Sequence, residues 1–228
     1  MGFLEVTSQL LIGFETTFLL FILTLIFALP LGLLMAFCTT SKFAPLRILF
    51  KVIVWVLRGT PLLLQLFVIC YIPGWLNLFQ WPTVNTGWAW FDQTITTRFI
   101  VALVAFSINY AAYFSEIYRG GIENTSNGQF EAGQVLGMTK RQIFFKVILL
   151  QVIKKILAPM SNEVITLVKD TSLANSIATY ELIFRANKFM NVGLIWPFLY
   201  AGAFYLLFVG ILTIIFNKTE KKLSYFKA

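Results

Sequence analysis

Apolar positions along this chain fall in long continuous runs, not at the three-and-four spacing of a surface helix. The first, TTFLLFILTLIFALPLGLLMAFC (16–38), is followed by runs at 48–72, 98–118, 143–168 and 194–216. Each approaches the roughly 20 residues needed to cross bilayer hydrocarbon. The pattern predicts an all-α integral membrane protein with five transmembrane helices. The first run does not read as a cleavable signal peptide. MGFLEVTSQ contains an acidic residue and no basic one, and no small-residue cleavage site follows the apolar stretch.

Two runs are interrupted. In RGTPLLLQLFVICYIPG, Thr60 and Pro61 are placed like an N-cap and first helical residue, and Pro73-Gly74 closes the segment. Residues 61–72 are too short to span alone, so the sequence predicts a break or kink at Gly59-Thr60-Pro61. The fourth run contains Lys154, Lys155 and Pro159, which place its first part at the cytoplasmic interface. Broken helices at membrane depth are tolerated where protein buries them or where they line a cavity.

Composition strengthens the membrane reading. Of 228 residues, 58% are hydrophobic, 12% are charged and 24 are phenylalanine, more apolar surface than a soluble domain can hide. The chain has no histidine, which removes Ser-His and Cys-His dyads and most zinc and non-haem iron sites. Cys38 and Cys70 lie far apart within apolar runs and read as packing residues. The 18 basic against 10 acidic residues form no stripe for nucleic acid.

The placement of those charges predicts topology. Lys42, Arg47, Lys51 and Arg58 flank the first connection. Arg119, Lys140, Arg141 and Lys146 lie between the third and fourth runs, and Lys218, Lys221, Lys222 and Lys227 crowd the tail. The N-terminal residues and 73–97 contain no lysine or arginine. The excess of cytoplasmic lysine and arginine puts the N-terminus outside and the C-terminus in the cytoplasm. The sequence thus divides into an extracytoplasmic segment (1–15), a membrane domain (16–216) and a basic cytoplasmic tail (217–228). WPTVNTGWAWF (81–91) reads as the outer aromatic belt.

One polar stretch, GQFEAGQVLGMTKRQIFFKV (128–147), falls on the cytoplasmic side. Ser126 with Gln129, and Thr139 with Gln142, have the spacing of capping boxes, and Gly137 can end the helix between them. So short a helix is marginal alone and needs packing against its own protein or a partner. Gly133 and Gly137 form a smooth strip suited to close approach, or are ordinary punctuation.

The same stretch resembles the EAA loop of ABC importer permeases. Glu131-Ala132-Gly133 is followed by Gly137, then Val147-Ile148-Leu149-Leu150. It departs from the family pattern at Gly133, Val147 and Leu150, with the spacing intact, and the loop covers about 126–150. RGTPLLLQLFVICY (58–71), INYAAYFSEIYRGGI (108–122) and SNEVITLVKDTSLANSIATYEL (161–182) resemble the polar amino-acid branch of that family, the histidine/glutamine permease-like proteins. The resemblance covers nearly the whole chain. It implies a type I ABC importer permease fold with a cytoplasmic coupling helix, in which Glu131, Ala132, Gly133, Gly137 and Met138 couple to an ATPase. It also implies two ABC ATPase subunits, a second permease (identical or different), an extracytoplasmic amino-acid-binding protein, and a bacterial plasma membrane. The chain has no G-x-x-x-x-G-K-[ST] sequence, so ATP and magnesium are expected on the partner ATPase and no cofactor here.

Ionisable groups within spans are candidates for function. Glu163, Thr166 and Asp170 stand at i, i+3 and i+7, on one helical face. A carboxylate there suits the ammonium of an amino acid, or serves as a structural ion-pair partner. Gln65 and Asn109 either line the same pathway or hydrogen-bond between helices. Arg58 is a snorkelling side chain at the cytoplasmic boundary or a gate, and Glu116 with Arg119 reads as an interfacial pair. KDTSLANSIATYEL offers Asp170, Thr171 and Ser172 as caps, predicting a short helix at the outer face. The expected function is the membrane subunit of an ATP-driven amino-acid importer. A self-sufficient secondary transporter or channel is the alternative, and a membrane-embedded enzyme finds no visible dyad or metal cluster.

Overall fold

The structure, a computed structural model, describes residues 2–84, 88–125 and 127–223. Ser126, Lys227 and residues 85–87 of the aromatic stretch lie outside them, as does the end of the basic tail. Among the described residues the fold is helical throughout, with no strand. Helix α1 (Phe3–Thr39) leads into α2 (Ala44–Gly59) and α3 (Leu62–Trp75), then the short α4 (Ala89–Thr94) and α5 (Thr97–Glu123). Next come α6 (Asn127–Val135), α7 (Lys140–Ile143), a π-helical turn (Phe144–Ile148) and α8 (Leu149–Asp170). A 3₁₀ turn (Thr171–Ile177), α9 (Leu182–Met190) and α10 (Trp196–Leu223) complete the chain.

By length and apolarity α1, α5 and α10 can each cross a membrane, and α2 with α3, bent by 108°, is long and apolar enough together for a broken span or a re-entrant loop. Helix α8 has 22 residues but carries Lys154, Lys155, Glu163, Lys169 and Asp170, so it does not reach the apolarity of the others. The bend at Gly59-Thr60-Pro61 follows the sequence expectation, but its capping does not. Pro61 is itself the N-cap of α3, with φ −60° and ψ 136°, and the Thr60 hydroxyl donates back to the Val56 carbonyl at 2.9 Å.

The chain termini also differ from the apolar runs. Residues 3–15 continue α1 without a break, making a helix of 37 residues, about 55 Å at 1.5 Å per residue. Hydropathy misses this because the extra turns bury one face only. Val6 and Leu10 are fully buried against Leu182, Ala186 and Phe189 of α9 and Ala201 of α10. At the other end α10 extends through Leu223, so the first part of the basic tail is helical.

Helices α1 and α5 form the centre. Phe21, Phe106, Phe114 and Leu20 are fully buried around them, and close approach depends on small residues. A Cβ at Gly32 would lie 2.9 Å from the Ala111 carbonyl oxygen and 2.9 Å from Phe114 Cβ. Gly32→Val is expected to destabilise the protein by about 1–3 kcal/mol through overpacking. Gly202→Val, at a position with open space beside it, is the matched control. Melting temperatures of both variants in detergent test this; equal values would contradict it.

The loop at 127–148 resolves largely as its spacing predicted. Helix α6 ends in a Schellman motif, with Met138 N–H donating to Gly133 O (3.0 Å) and Gly137 N–H to Gln134 O (2.9 Å). Gly137 has φ +71°. The capping box at Thr139 and Gln142 is formed in both directions, at 3.3 and 2.8 Å. The Ser126–Gln129 box falls on an undescribed residue.

Candidate functional site: a polar cavity at a broken helix

At the α2–α3 bend, backbone carbonyls near the end of α2 lose their helical partners. In a membrane each such group must find another donor. Two amides supply them. Gln65 Nε2 donates to Leu57 O (2.7 Å), Thr60 Oγ1 (2.8 Å) and Thr60 O (3.2 Å). Asn109 Nδ2, from α5, donates to Leu57 O (3.2 Å) and to Gln65 Oε1 (3.0 Å). Of the two readings the sequence left open for these side chains, the structure forms the interhelical bonds. Gln65 does not line the cavity below, whereas Asn109 also borders it.

Gln65→Ala would remove the amide donor to Thr60 O and Oγ1 and leave Leu57 O with Asn109 Nδ2 alone. At about 1 kcal/mol per hydrogen bond, a loss of about 2–3 kcal/mol is expected, read as a lowered melting temperature. Gln65→Glu presents no NH₂ to the carbonyls and should not restore it; full restoration would contradict the pinning role.

Beside the pinned bend lies a cavity of about 600 Å³, within the size range of small-molecule sites. Its walls come from the break (Arg58, Gly59, Thr60, Pro61, Leu62), from α5 (Asn109, Tyr110, Tyr113), from α8 (Glu163, Thr166, Asp170) and from Leu173. Asn109 and Tyr110 sit midway along α5, so the cavity lies at the depth of that helix's centre. One guanidinium thus shares a cavity with two carboxylates. Asp170 is anchored, accepting a hydrogen bond from the Tyr110 hydroxyl at 2.7 Å. No ion pair among the described residues reaches Glu163, which is half-buried.

The i, i+3, i+7 spacing brings Glu163, Thr166 and Asp170 to this one wall. Arg58 and Asn109 join them from other helices. Tyr110 and Tyr113 were not singled out in the sequence. Asn109, Tyr113 and Glu116 stand at i, i+4 and i+7, a polar helical stripe that would have found Tyr113. Asp170 stands at the N-cap position of the 3₁₀ turn, but its backbone is helical and its side chain makes no capping bond there; Thr171 and Ser172 donate back to Val168 O and Lys169 O. The cap is further on. Glu181, fully buried, accepts from the Ile183 and Phe184 amides at 2.8 and 2.7 Å and from the Tyr205 hydroxyl at 3.3 Å, fixing the start of α9.

At the far end of α5, Arg119 donates to both Glu116 oxygens (3.1 and 2.6 Å) and also pairs with Glu123. The loop residues Glu131, Ala132, Val135 and Leu136 are exposed, with Val135 and Leu136 at 88% and 77%. Gly133 is buried on the opposite side. A Cβ there would meet Ile143 Cγ1 at 2.6 Å, while nothing lies within 4 Å of one at Gly137. The smooth strip therefore divides: Gly133 makes room for a residue of its own chain, and Gly137 supplies a left-handed turn. Met138 donates the amide that closes that turn.

Long apolar helices around a polar cavity at mid-helix depth, with a capped helix projecting from one end, define a multi-pass membrane protein built to admit a polar solute. The chain belongs to the family of binding-protein-dependent transport system inner membrane components, whose profile matches residues 28–222. It is 37% identical over 219 residues to the L-cystine transport system permease protein TcyB of Bacillus subtilis (strain 168), covering 95% of this chain and 87% of that one. It is 33% identical to the octopine transport system permease protein OccM of Rhizobium radiobacter, over 86% of this chain and 79% of that one. The arginine transport system permease protein ArtQ of Bacillus subtilis (strain 168) is 32% identical, over 93% and 91%.

Among solved structures, the crystal structure of an amino acid ABC transporter with histidines superposes with a TM-score of 0.82 at 27% identity, covering 96% of each chain. The inward-facing MetNI methionine ABC transporter shares the fold, with a TM-score of 0.68 at 15% identity and coverage of 98% and 99%.

Proposed function

We propose that this chain is the permease subunit of an ATP-binding-cassette importer that carries a polar amino acid across a bacterial plasma membrane by alternating access. The observation that carries this reading is the cavity at the α2–α3 break, which Arg58 lines together with Glu163 and Asp170. Every free amino acid presents a carboxylate and an ammonium, the charges that a guanidinium and two carboxylates bind. The named amino-acid permeases among its relatives agree.

The cavity also supports a partner permease. Its ionised side chains lie at mid-helix depth, where exposure to lipid hydrocarbon is costly. A second permease subunit, identical or different, shields them, and the pathway runs between the two. Helix α8 is the fifth crossing, its charged face turned to the pathway rather than to lipid, with the N-terminus outside and the C-terminus inside. One continuous helical run, α7 through α8, joins the loop at Thr139 to Glu163 and Asp170. It is interrupted by the π-helical turn and by Pro159, features that mark hinges in helices. Helix α6 and the turn after it, with Val135 and Leu136 exposed, dock on an ABC ATPase that binds magnesium and hydrolyses ATP. An external amino-acid-binding protein delivers the substrate.

The test is co-expression with candidate ATPase, permease and binding-protein chains from the same organism, reconstitution into vesicles, and uptake assays over a panel of amino acids. Uptake requiring ATP and the ATPase chain is expected. Equal uptake by this chain alone would instead make it a self-sufficient transporter or channel.

A further inference from the structure

Arg58 closes α2 at the bend and lines two cavities at once. On one side is the polar cavity with Glu163 and Asp170. On the other is a smaller one of about 330 Å³, lined by Lys51, Val54, Trp55, Glu116 and Arg119. The Arg58 side chain is therefore part of the partition between the pathway and the charged end of α5.

What holds it there is weak. Arg58 Nη1 lies 3.7 Å from Glu116 Oε2, at the outer limit of an ion pair. Its guanidinium carbon sits 5.2 Å from the centre of the Tyr113 ring. Glu116 does not depend on Arg58, because Arg119 already donates to both of its oxygens. The Arg58 side chain is 43% exposed, and ion pairs this exposed bias an equilibrium by no more than about fivefold. A carboxylate entering the pathway cavity offers the same guanidinium a bidentate, charge-assisted partner, which is the stronger arrangement.

We propose that Arg58 is a positioning and specificity-determining residue, an inner latch held across the partition by Glu116 while the cavity is empty and drawn off it by the carboxylate of the incoming substrate. This rests on the permease reading above. Weakness is what makes the latch movable, since a ligand shifts an equilibrium only by its differential affinity for the two states. Lys51 and Arg119 face the same smaller cavity, so Arg58 leaves a site already rich in positive charge. Amines without a carboxylate would satisfy Glu163 and Asp170 yet leave the latch closed.

The experiment uses the complete transporter in inside-out vesicles, with Cys38→Ser and Cys70→Ser removing the native thiols and Thr166→Cys reporting from the cavity wall. A membrane-impermeant thiol reagent is added on the cytoplasmic side without substrate. Slow labelling is expected in this parent, labelling about fivefold faster with Arg58→Gln or Glu116→Gln, and near-parent labelling with Arg58→Lys, which keeps the charge. Rates for Arg58→Gln equal to the parent, or for Arg58→Lys equal to Arg58→Gln, overturn the latch. If Glu116→Gln does not assemble with the ATPase, the two Arg58 variants decide alone. ATP-driven uptake is measured in vesicles without these substitutions: its absence removes the permease reading, whereas intact uptake with unchanged labelling removes only the latch.

Discussion

Glu163→Gln is expected to lower ATP-driven uptake by about ten- to a hundredfold at low substrate concentration, with the ATPase still copurifying at the normal level. The magnitude is that of one hydrogen bond to a charged group, about 1.5–3 kcal/mol. The reason lies in the cavity's division of labour. Asp170 is already engaged by the Tyr110 hydroxyl, so part of its charge is satisfied without substrate. Glu163 shares the cavity with no ion-pair partner among the described residues and is the carboxylate left for an ammonium. Asp170→Asn should therefore cost less than Glu163→Gln. Uptake at the wild-type level in Glu163→Gln vesicles would reduce Glu163 to a structural role.

Gly137→Ala is expected to reduce both ATPase copurification and uptake severalfold, and Gly137→Asn to reduce them less. With φ +71°, an alanine at this position costs roughly 1–2 kcal/mol, whereas asparagine visits the left-handed region more readily. Helix α6 has only nine residues, so it depends on its Schellman turn and on packing to keep its shape. The order of the two variants separates two explanations. If Gly137 were small in order to clear a docked partner, the larger asparagine would be the worse substitution. Open space beside the position and the left-handed backbone argue for the opposite order. Copurification from membranes expressing each variant gives the answer, and asparagine falling below alanine would restore the clearance explanation.

Much of this organisation is legible in the sequence because its causes are local. The break after Gly59 follows from the Gly59-Thr60-Pro61 combination, since proline supplies no amide to the Leu57 carbonyl and disfavours helix at the residue before it. The end of α6 follows from a glycine at the right offset, and the next start from Thr139 and Gln142. The shared face of Glu163, Thr166 and Asp170 follows from helical periodicity once the segment is known to be a helix. The opening turns of α1 were not legible. They mix Glu5, Thr7, Ser8 and Gln9 with apolar residues, and are helical because Val6 and Leu10 bury against α9 and α10, far along the chain. Gly133 misled for the same reason. Nothing in the loop's spacing says that Ile143 folds back to occupy the space beside it.

The sequence by itself determined that this is a membrane protein, where its long apolar runs lie and where one of them breaks, and which loops are charged. Those properties depend on hydropathy, backbone preference and residues within a few turns of each other. The tertiary structure alone decided which polar groups are already used and which are left for a ligand. Gln65 and Asn109 are consumed by the carbonyls freed at the bend, Glu181 by the start of α9, and Asp170 in part by Tyr110, a residue 60 positions away. Among the described residues, Glu163 remains facing the cavity without an ion-pair partner, and Arg58 with only the Tyr113 ring and a 3.7 Å contact to Glu116. A hydrogen bond is satisfied between partners that packing brings together, and only the packed helices reveal which side chains have spare charge.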